Sequence, residues 1–505
     1  MASLESPFGG EVVVVSPQAK GFANKQTPNK RKITPPHELL TPKRKVIISP
    51  AGSIPPQTLF NDPSPPLFPS DIFPGSQLRI ESRRPIEVSH GHREHGETLP
   101  SAKHIVLPFD LHKNPKDFFE RENIDILKQL FPSTLRVDFD EWALVFVLET
   151  LPPKPWPLKV ANVPCYLTTD PTDNGPTVPL VHRSRSRIAL GDGLYLRDAE
   201  HLVDQVFDIL REFFDQSPIQ ATEIQYWRSV IIIVLVSAEH EVLENVPKSV
   251  GGCPCFYLEE SDMGRPAELP ALRGSQPDGN AFDTSEYEPL RPGLMVNSGE
   301  HPVEGCGFTT SSGVMVRDAL GQTYMTVTAH GFPGYPFTNK VYHPNSRGKE
   351  IGEVIVESSR SDVALVKLNE NVTFVNEPFE NTILPGGPFT LRQFARAGDT
   401  RIGNNVYMDS PFSGFVEGTT GIHSFMRIPN DDPNDPEQMW VRGHWDYMGQ
   451  GSSSQMAAGV CGSAIWDDNH RVHGFFRYAP QSGRFQDWCL TVAADHLIDR
   501  GYTLV

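Results

Sequence analysis

Three side chains near the C-terminal end, His330, Asp362 and Cys461, are of the types that together attack a carbonyl carbon. They occur in the order histidine, aspartate, cysteine, with gaps of 32 and 99 residues. A free thiol is mostly protonated at neutral pH and is then a weak nucleophile. An imidazole beside it takes the proton, and a carboxylate behind the imidazole fixes its tautomer and orientation. Cys461 stands in "AAGVCGSAIW", between Gly459 and Gly462. A structural cysteine needs no glycine next to it. A thiol that meets a substrate needs bare backbone and N–H groups free to point at the ligand. The backbone N–H groups of Gly459 and Cys461 are the candidates for an oxyanion hole, and Gly462 with Ser463 leaves room for substrate.

Each residue has a plainer reading when taken alone. A lone histidine is a hydrogen-bonded core residue, a lone aspartate caps a turn or strand, and a lone cysteine is a small core hydrophobe. Their order and strand contexts favour a site. His330 ends the β-branched run "TYMTVTAHGF", and Asp362 opens the doubly apolar run "SRSDVALVKL". Around them, short apolar stretches such as "SGVMVRD", "GEVIVES", "MWVRGHW" and "VHGFFRY" alternate with turn residues. This pattern predicts an all-β barrel or sandwich over 290–505, with no long helix before the end.

These segments resemble the chymotrypsin-like, double β-barrel peptidases. "TAH", "SDVALVKL" and "GVCGSA" are similar to that family's histidine, aspartate and nucleophile motifs, and "GCGFTTSSGVMVRDALGQTYMTVTAHGF" resembles its bacterial members. The resemblance implies a double barrel over 290–505, amide hydrolysis and no cofactor. It makes Cys461 the nucleophile, His330 the general base and acid, and Asp362 the orienting carboxylate. It implies that "RVHGFFRYAP" lines the specificity pocket, with Phe476 and Tyr478 on that strand and Gln455 at the pocket floor. The departures are specific. Cysteine replaces serine, as in the viral members. Val460 stands where digestive members carry the activation aspartate, and Gly331 where many secreted members carry a disulfide cysteine. Phe476 occupies the place of a glutamine-reading histidine, so that preference does not carry over.

The rest of the sequence divides by composition. Residues 1–50 hold eight Lys/Arg against three Asp/Glu, a charge of +5, and the remainder holds 37 against 59, a charge of −22. An acidic body argues against general nucleic-acid binding. Residues 1–100 read as a disordered, Pro-rich tail. Within it, KRK at 30–32 and KRK at 43–45 have the spacing of a bipartite signal for a nuclear import receptor, flanked by Thr34-Pro35, Thr41-Pro42 and Ser49-Pro50. The first residues lack a basic start and a long apolar core, so no secretory leader is expected, and the longest strongly apolar run, "VIIIVLV", is too short to cross a membrane. Six sparse cysteines do not form a disulfide framework, so the expectation is an intracellular protein of the nucleus or cytoplasm with reduced thiols.

Residues 101–265 read as an α+β domain with an internal duplication, and 266–289 as a polar linker. "DFFERENIDILKQLF" and "AEHLVDQVFDILREFF" are paired helices, with Leu202, Val206, Ile209 and Phe213 at helical spacing in the second. "EWALVFVLE" and "RSVIIIVLV" are paired strands, and Cys165 matches Cys255. Two such halves are expected to pack into one pseudo-symmetric unit. "CPC" at 253–255 and the acidic run at 430–437 lack ligand spacing, so no metal is expected. The fold class is therefore a C-terminal double β-barrel preceded by a duplicated α+β domain and a tail. Two functions from different classes follow: a cysteine endopeptidase acting on a peptide or protein substrate, or an inactive protease-fold module that binds a protein partner.

Overall fold

Two six-stranded barrels close on themselves in the C-terminal region of the computed structural model. The structure describes residues 79–82 and 103–505, apart from 180–181, 195–199, 267–271, 274–282, 301–306, 333–338, 359–360, 381–387, 429–438, 455 and 457. The first barrel runs through Phe308–Arg317, Met295–Asn297, Lys340–His343, Lys349–Ser358, Val363–Leu368 and Thr323–Thr328, which pairs back with Phe308–Arg317. The second runs through Asn405–Ser410, Ala464–Trp466, Arg471–Tyr478, Trp488–Ala493, Met439–Tyr447 and Gly414–Ile428, which pairs back with Asn405–Ser410. This is the chymotrypsin-like architecture.

The doubly apolar strand after Asp362 has a physical cause in this arrangement. Side chains alternate across a strand. Ala364 and Val366 face the interior of the first barrel with Met325, Val327, Val341 and Ile351. Val363 and Leu365 face the other way, against Tyr407, Trp466, Val472 and Phe475 of the second barrel. One strand thus serves two cores and welds the barrels together.

The duplication is present strand for strand. The first copy orders its strands Lys103–Val106, Pro157–Val160, Val163–Thr168, Leu144–Leu148 and Thr134–Phe139. The second orders Ala189–Leu190, Ser249–Val250, Cys253–Glu259, Val230–Leu235 and Ala221–Trp227 in the same way. Leu144 pairs in parallel with Cys165, and Ile231 with Cys255, so the matched cysteines occupy one register. Each copy sets one helix in the same place in its element order, Arg121–Gln129 and Val203–Asp215.

The two copies do not share a sheet. The first forms its own six-stranded sheet, while the second joins the second barrel. Ala221–Trp227 pairs antiparallel with Gly414–Ile428 through Tyr226, Gln225, Ile224 and Glu223 opposite His423, Ser424, Phe425 and Met426. The helix Val203–Asp215 packs one face against this joined sheet. Its fully buried stripe is Val203, Val206, Phe207, Leu210 and Phe214, and Leu202, Ile209 and Phe213 flank it. Phe207 stacks on Phe425 of the barrel with ring centroids 5.6 Å apart. The first copy docks on the same barrel through Trp142, stacked on Trp488 at 5.1 Å. Gln450 also bonds both the N–H and the C=O of Leu167, at 2.9 and 2.8 Å.

Two short strands fall in segments expected to be without structure. Within 1–100, Arg79–Ser82 pairs antiparallel with Lys103–Val106; the remainder of that segment, including the basic clusters of 30–45, lies outside the described residues. Within 266–289, Leu272–Arg273 pairs with Phe308 and Thr309. Among the described residues no helix is long and apolar enough to cross a membrane, and no group of three or more His, Cys, Asp or Glu could hold a metal ion.

Candidate active site

His330 and Asp362 come from adjacent strand ends of the first barrel. Thr323–Thr328 and Val363–Leu368 pair antiparallel with Thr328 opposite Val363, which brings the residues just beyond each end together. Asp362 lies in the left-handed region at φ 56°, a conformation that aspartate tolerates better than most residues. Its backbone carbonyl accepts from Ala329 N–H at 3.0 Å, tying the two strand ends.

The imidazole is oriented by the carboxylate. His330 Nδ1 lies 2.8 Å from Asp362 Oδ2 and 2.9 Å from Oδ1, so Nδ1–H donates to Asp362 and Nε2 faces away from it. Asp362 Oδ1 also accepts from His330 N–H at 3.1 Å and Thr328 Oγ1 at 3.2 Å. Arg477 Nε donates to Oδ2 at 3.2 Å. The side chains of His330 and Asp362 are 10% and 6% exposed. Burial opposes charge on both, and their mutual attraction overrides it. Asp362 is held at about 2, chiefly by the charge and hydrogen bond of His330 and then by Arg477. His330 is raised to about 10 against burial, chiefly by Asp362 and then by the neighbouring Cys461. Asp362 and Cys461 together therefore favour the protonated form of the imidazole.

Cys461 reaches this pair from the second barrel, on the turn before Ala464–Trp466. Barrel closure leaves it inside an apolar cluster with Met408, Phe412, Val460 and Phe476, and it has no exposed surface. Its thiol donates to Arg477 C=O at 3.0 Å. Two of the glycines around it are demanded by geometry. Gly459 has φ 102°, and a Cβ there would sit 2.6 Å from the Phe412 ring. Gly462 has φ 89°, and a Cβ there would sit 2.7 Å from Ser311 C=O and 3.0 Å from Thr328 N. The first barrel holds the turn through Ser311, whose N–H donates to Cys461 C=O and whose Oγ donates to Gly459 C=O, both at 3.0 Å.

The three candidate catalytic residues and the Gly459 turn thus meet between the barrels. Phe476 and Tyr478 are each 2% exposed. Phe476 fills the interior of the second barrel, where its C=O accepts from Gly462 N–H at 2.9 Å. Tyr478 lies in the core shared with the second α+β copy, edge-on to Trp445. Gln455 lies outside the described residues. Sequence reasoning missed Arg477, Thr328 and Ser311. The signal available was local: Thr328 stands two residues before His330, and Arg477 is a charge inside an apolar strand.

No family model matches this protein, and no curated protein matches it. Solved structures similar to it include a glutamic acid-specific serine protease that uses a histidine triad in substrate binding, at 13% identity over 43% of this chain and 100% of that one, with a TM-score of 0.31. Others are the Nocardiopsis protease NAPase, at 17% identity over 43% and 98%, TM-score 0.29, and Thermobifida fusca protease A, at 16% over 43% and 98%, TM-score 0.31. What decides the architecture is the closure of the two barrels themselves.

Proposed function

We propose that this protein is a cysteine endopeptidase that hydrolyses peptide bonds in a peptide or protein substrate through Cys461, His330 and Asp362. The observation that carries this reading is the imidazole held at Nδ1 by Asp362 at 2.8 Å, with Nε2 turned away from the carboxylate and Cys461 raising its affinity for a proton. Such an imidazole takes the thiol proton and then stands as counterion to a thiolate, which is the nucleophilic form of cysteine. The cysteine in place of serine and the raised imidazole are therefore two sides of one design.

In this mechanism the Cys461 thiol leaves the Arg477 carbonyl and passes its proton to His330 Nε2, and the resulting thiolate attacks the scissile carbonyl carbon. The oxygen takes up the displaced π electrons and is stabilised by the N–H groups of Gly459 and Cys461. Collapse breaks the C–N bond, and His330 Nε2–H protonates the leaving amine, leaving a thioester. His330, now neutral, takes a proton from water as it attacks. The acid product leaves and the thiolate–imidazolium pair returns. A thiol nucleophile of this kind suits a reducing compartment, the nucleus or cytoplasm, with the clusters of 30–45 as ligand for an import receptor. Cleavage of a peptide library by the wild-type protein, absent in Cys461→Ala, tests the proposal. No cleavage by the wild type would leave the protein-binding module as the better reading.

A further inference from the structure

The duplication exposes a difference between its two copies. Register places Leu144 with Cys165 and Ile231 with Cys255, and across the next hairpin Phe139 with Leu144 and Tyr226 with Ile231. Residues 136–139 of the first copy are thereby equivalent to 223–226 of the second. Both edge strands even carry their irregularity at the same place, after Thr134 and after Ala221. In the second copy, Glu223–Tyr226 is covered by an antiparallel strand of the barrel and is buried. In the first copy, Thr134–Phe139 ends its sheet, and among the described residues no strand pairs with its outer edge. An open edge of this kind is a template for another strand.

We propose that the Arg136–Phe139 edge is a dimer interface, on which a second copy of this protein adds the same edge antiparallel about a two-fold axis. The charges select this occupant. With Val137 opposite its own equivalent, Arg136 faces Asp138 of the other copy and Asp138 faces Arg136, so the edge is self-complementary in both charge and direction. Arg136 and Asp138 lie on one face, are 39% and 34% exposed, and already attract each other at 2.6 Å within the molecule. Leu135 of this strand is a large apolar side chain left 58% exposed. Pairing would extend the first copy's sheet into a continuous sheet of twice its strands, as the barrel extends the second.

Sedimentation of the full-length protein over about 1–100 µM tests this, with Arg136→Asp, Asp138→Arg and the double reversal. We expect a reversible dimer for the wild type. Each single reversal sets like charges opposite and should weaken it at least about tenfold. The double reversal restores opposite charges and should restore the dimer. A monomeric wild type, or a dimer indifferent to both single reversals, overturns the proposal. A monomeric wild type whose Arg136–Phe139 amides are protected from hydrogen exchange overturns it in favour of another strand on the edge. Failure of peptide cleavage would leave these outcomes unchanged.

Discussion

Arg477 donates from Nε to Asp362 Oδ2 over 3.2 Å, and both side chains are buried. The same residue accepts the Cys461 thiol on its carbonyl oxygen. Arg477 is thus a positioning residue that acts on the carboxylate by its side chain and on the thiol by its backbone. Arg477→Met removes a buried cation and leaves Asp362 with His330 as its remaining charged partner. We expect a loss of about 2–4 kcal/mol in stability, measured by denaturant unfolding, with Arg477→Lys recovering part of it. The alkaline limb of activity should also move upward, because Asp362 then acts on His330 alone.

The pH dependence of stability follows from the same pair. His330 is raised from 6.5 to about 10, so its contribution is full below about pH 6.5 and is lost as pH rises through 10. Asp362 is depressed from 3.8 to about 2, so its contribution is present above about pH 4 and is lost as pH falls toward 2. Melting temperature measured across pH should therefore fall on both sides. In His330→Gln the decline between pH 6.5 and 10 should flatten, and a decline identical to the wild type would contradict the assignment.

The meeting of His330 and Asp362 was legible because both sit in strand contexts that survive as short motifs, and the antiparallel pairing of those strands brings their ends together. The duplication was legible for the same reason, since Cys165 and Cys255 mark one register. What the sequence hid depends on partners far along it. The stripe of the helix Val203–Asp215 is turned toward Val203, Phe207 and Phe214 by a barrel more than 200 residues later. Tyr478 reads as a pocket residue on its own strand, yet the second α+β copy buries it. Arg477 reads as an interruption until Asp362, 115 residues earlier, is brought against it.

Cys461 occupies packed apolar surroundings, and its thiol already has an acceptor in the Arg477 carbonyl. Cys461→Ser keeps that hydrogen bond, so it should cost under about 1 kcal/mol, while Cys461→Ala opens a small cavity and should cost about 1 kcal/mol. Both should fold, with cleavage lost in the alanine variant and strongly reduced in the serine variant. Thermal melts beside peptide cleavage separate these effects. Collapse of the fold in both would mark the thiol as structural.

Gly462 lets two barrels touch. A Cβ there meets backbone of Ser311 and Thr328, which cannot swing aside, at a φ that alanine resists. Gly462→Ala should cost about 2–4 kcal/mol or more in denaturant unfolding. A variant as stable as the wild type would show that the inter-barrel contact is looser than these distances imply.

Glu223 ties the second α+β copy to the barrel. It is fully buried, accepts from Trp445 Nε1 at 2.7 Å and from Ser424 Oγ, and pairs with Arg265. Glu223→Ala leaves the two barrel donors without their acceptor and Arg265 with Glu260 as its remaining carboxylate partner. We expect a loss of about 3–5 kcal/mol and, by hydrogen exchange, deprotection of both Ala221–Trp227 and Gly414–Ile428. Deprotection of the first strand alone would mean that the barrel does not depend on the docked copy.

The rate at which iodoacetamide alkylates Cys461, compared by peptide mass spectrometry with Cys165 and Cys489 in the same native protein, tests the nucleophile most directly. Burial pushes the thiols of Cys165 and Cys489 up, and neither has an imidazolium beside it. We predict that Cys461 reacts faster than both at pH 7 and that His330→Gln slows it by at least about tenfold. Equal rates at the three cysteines, or a Cys461 rate unchanged in His330→Gln, would contradict its role as the nucleophile.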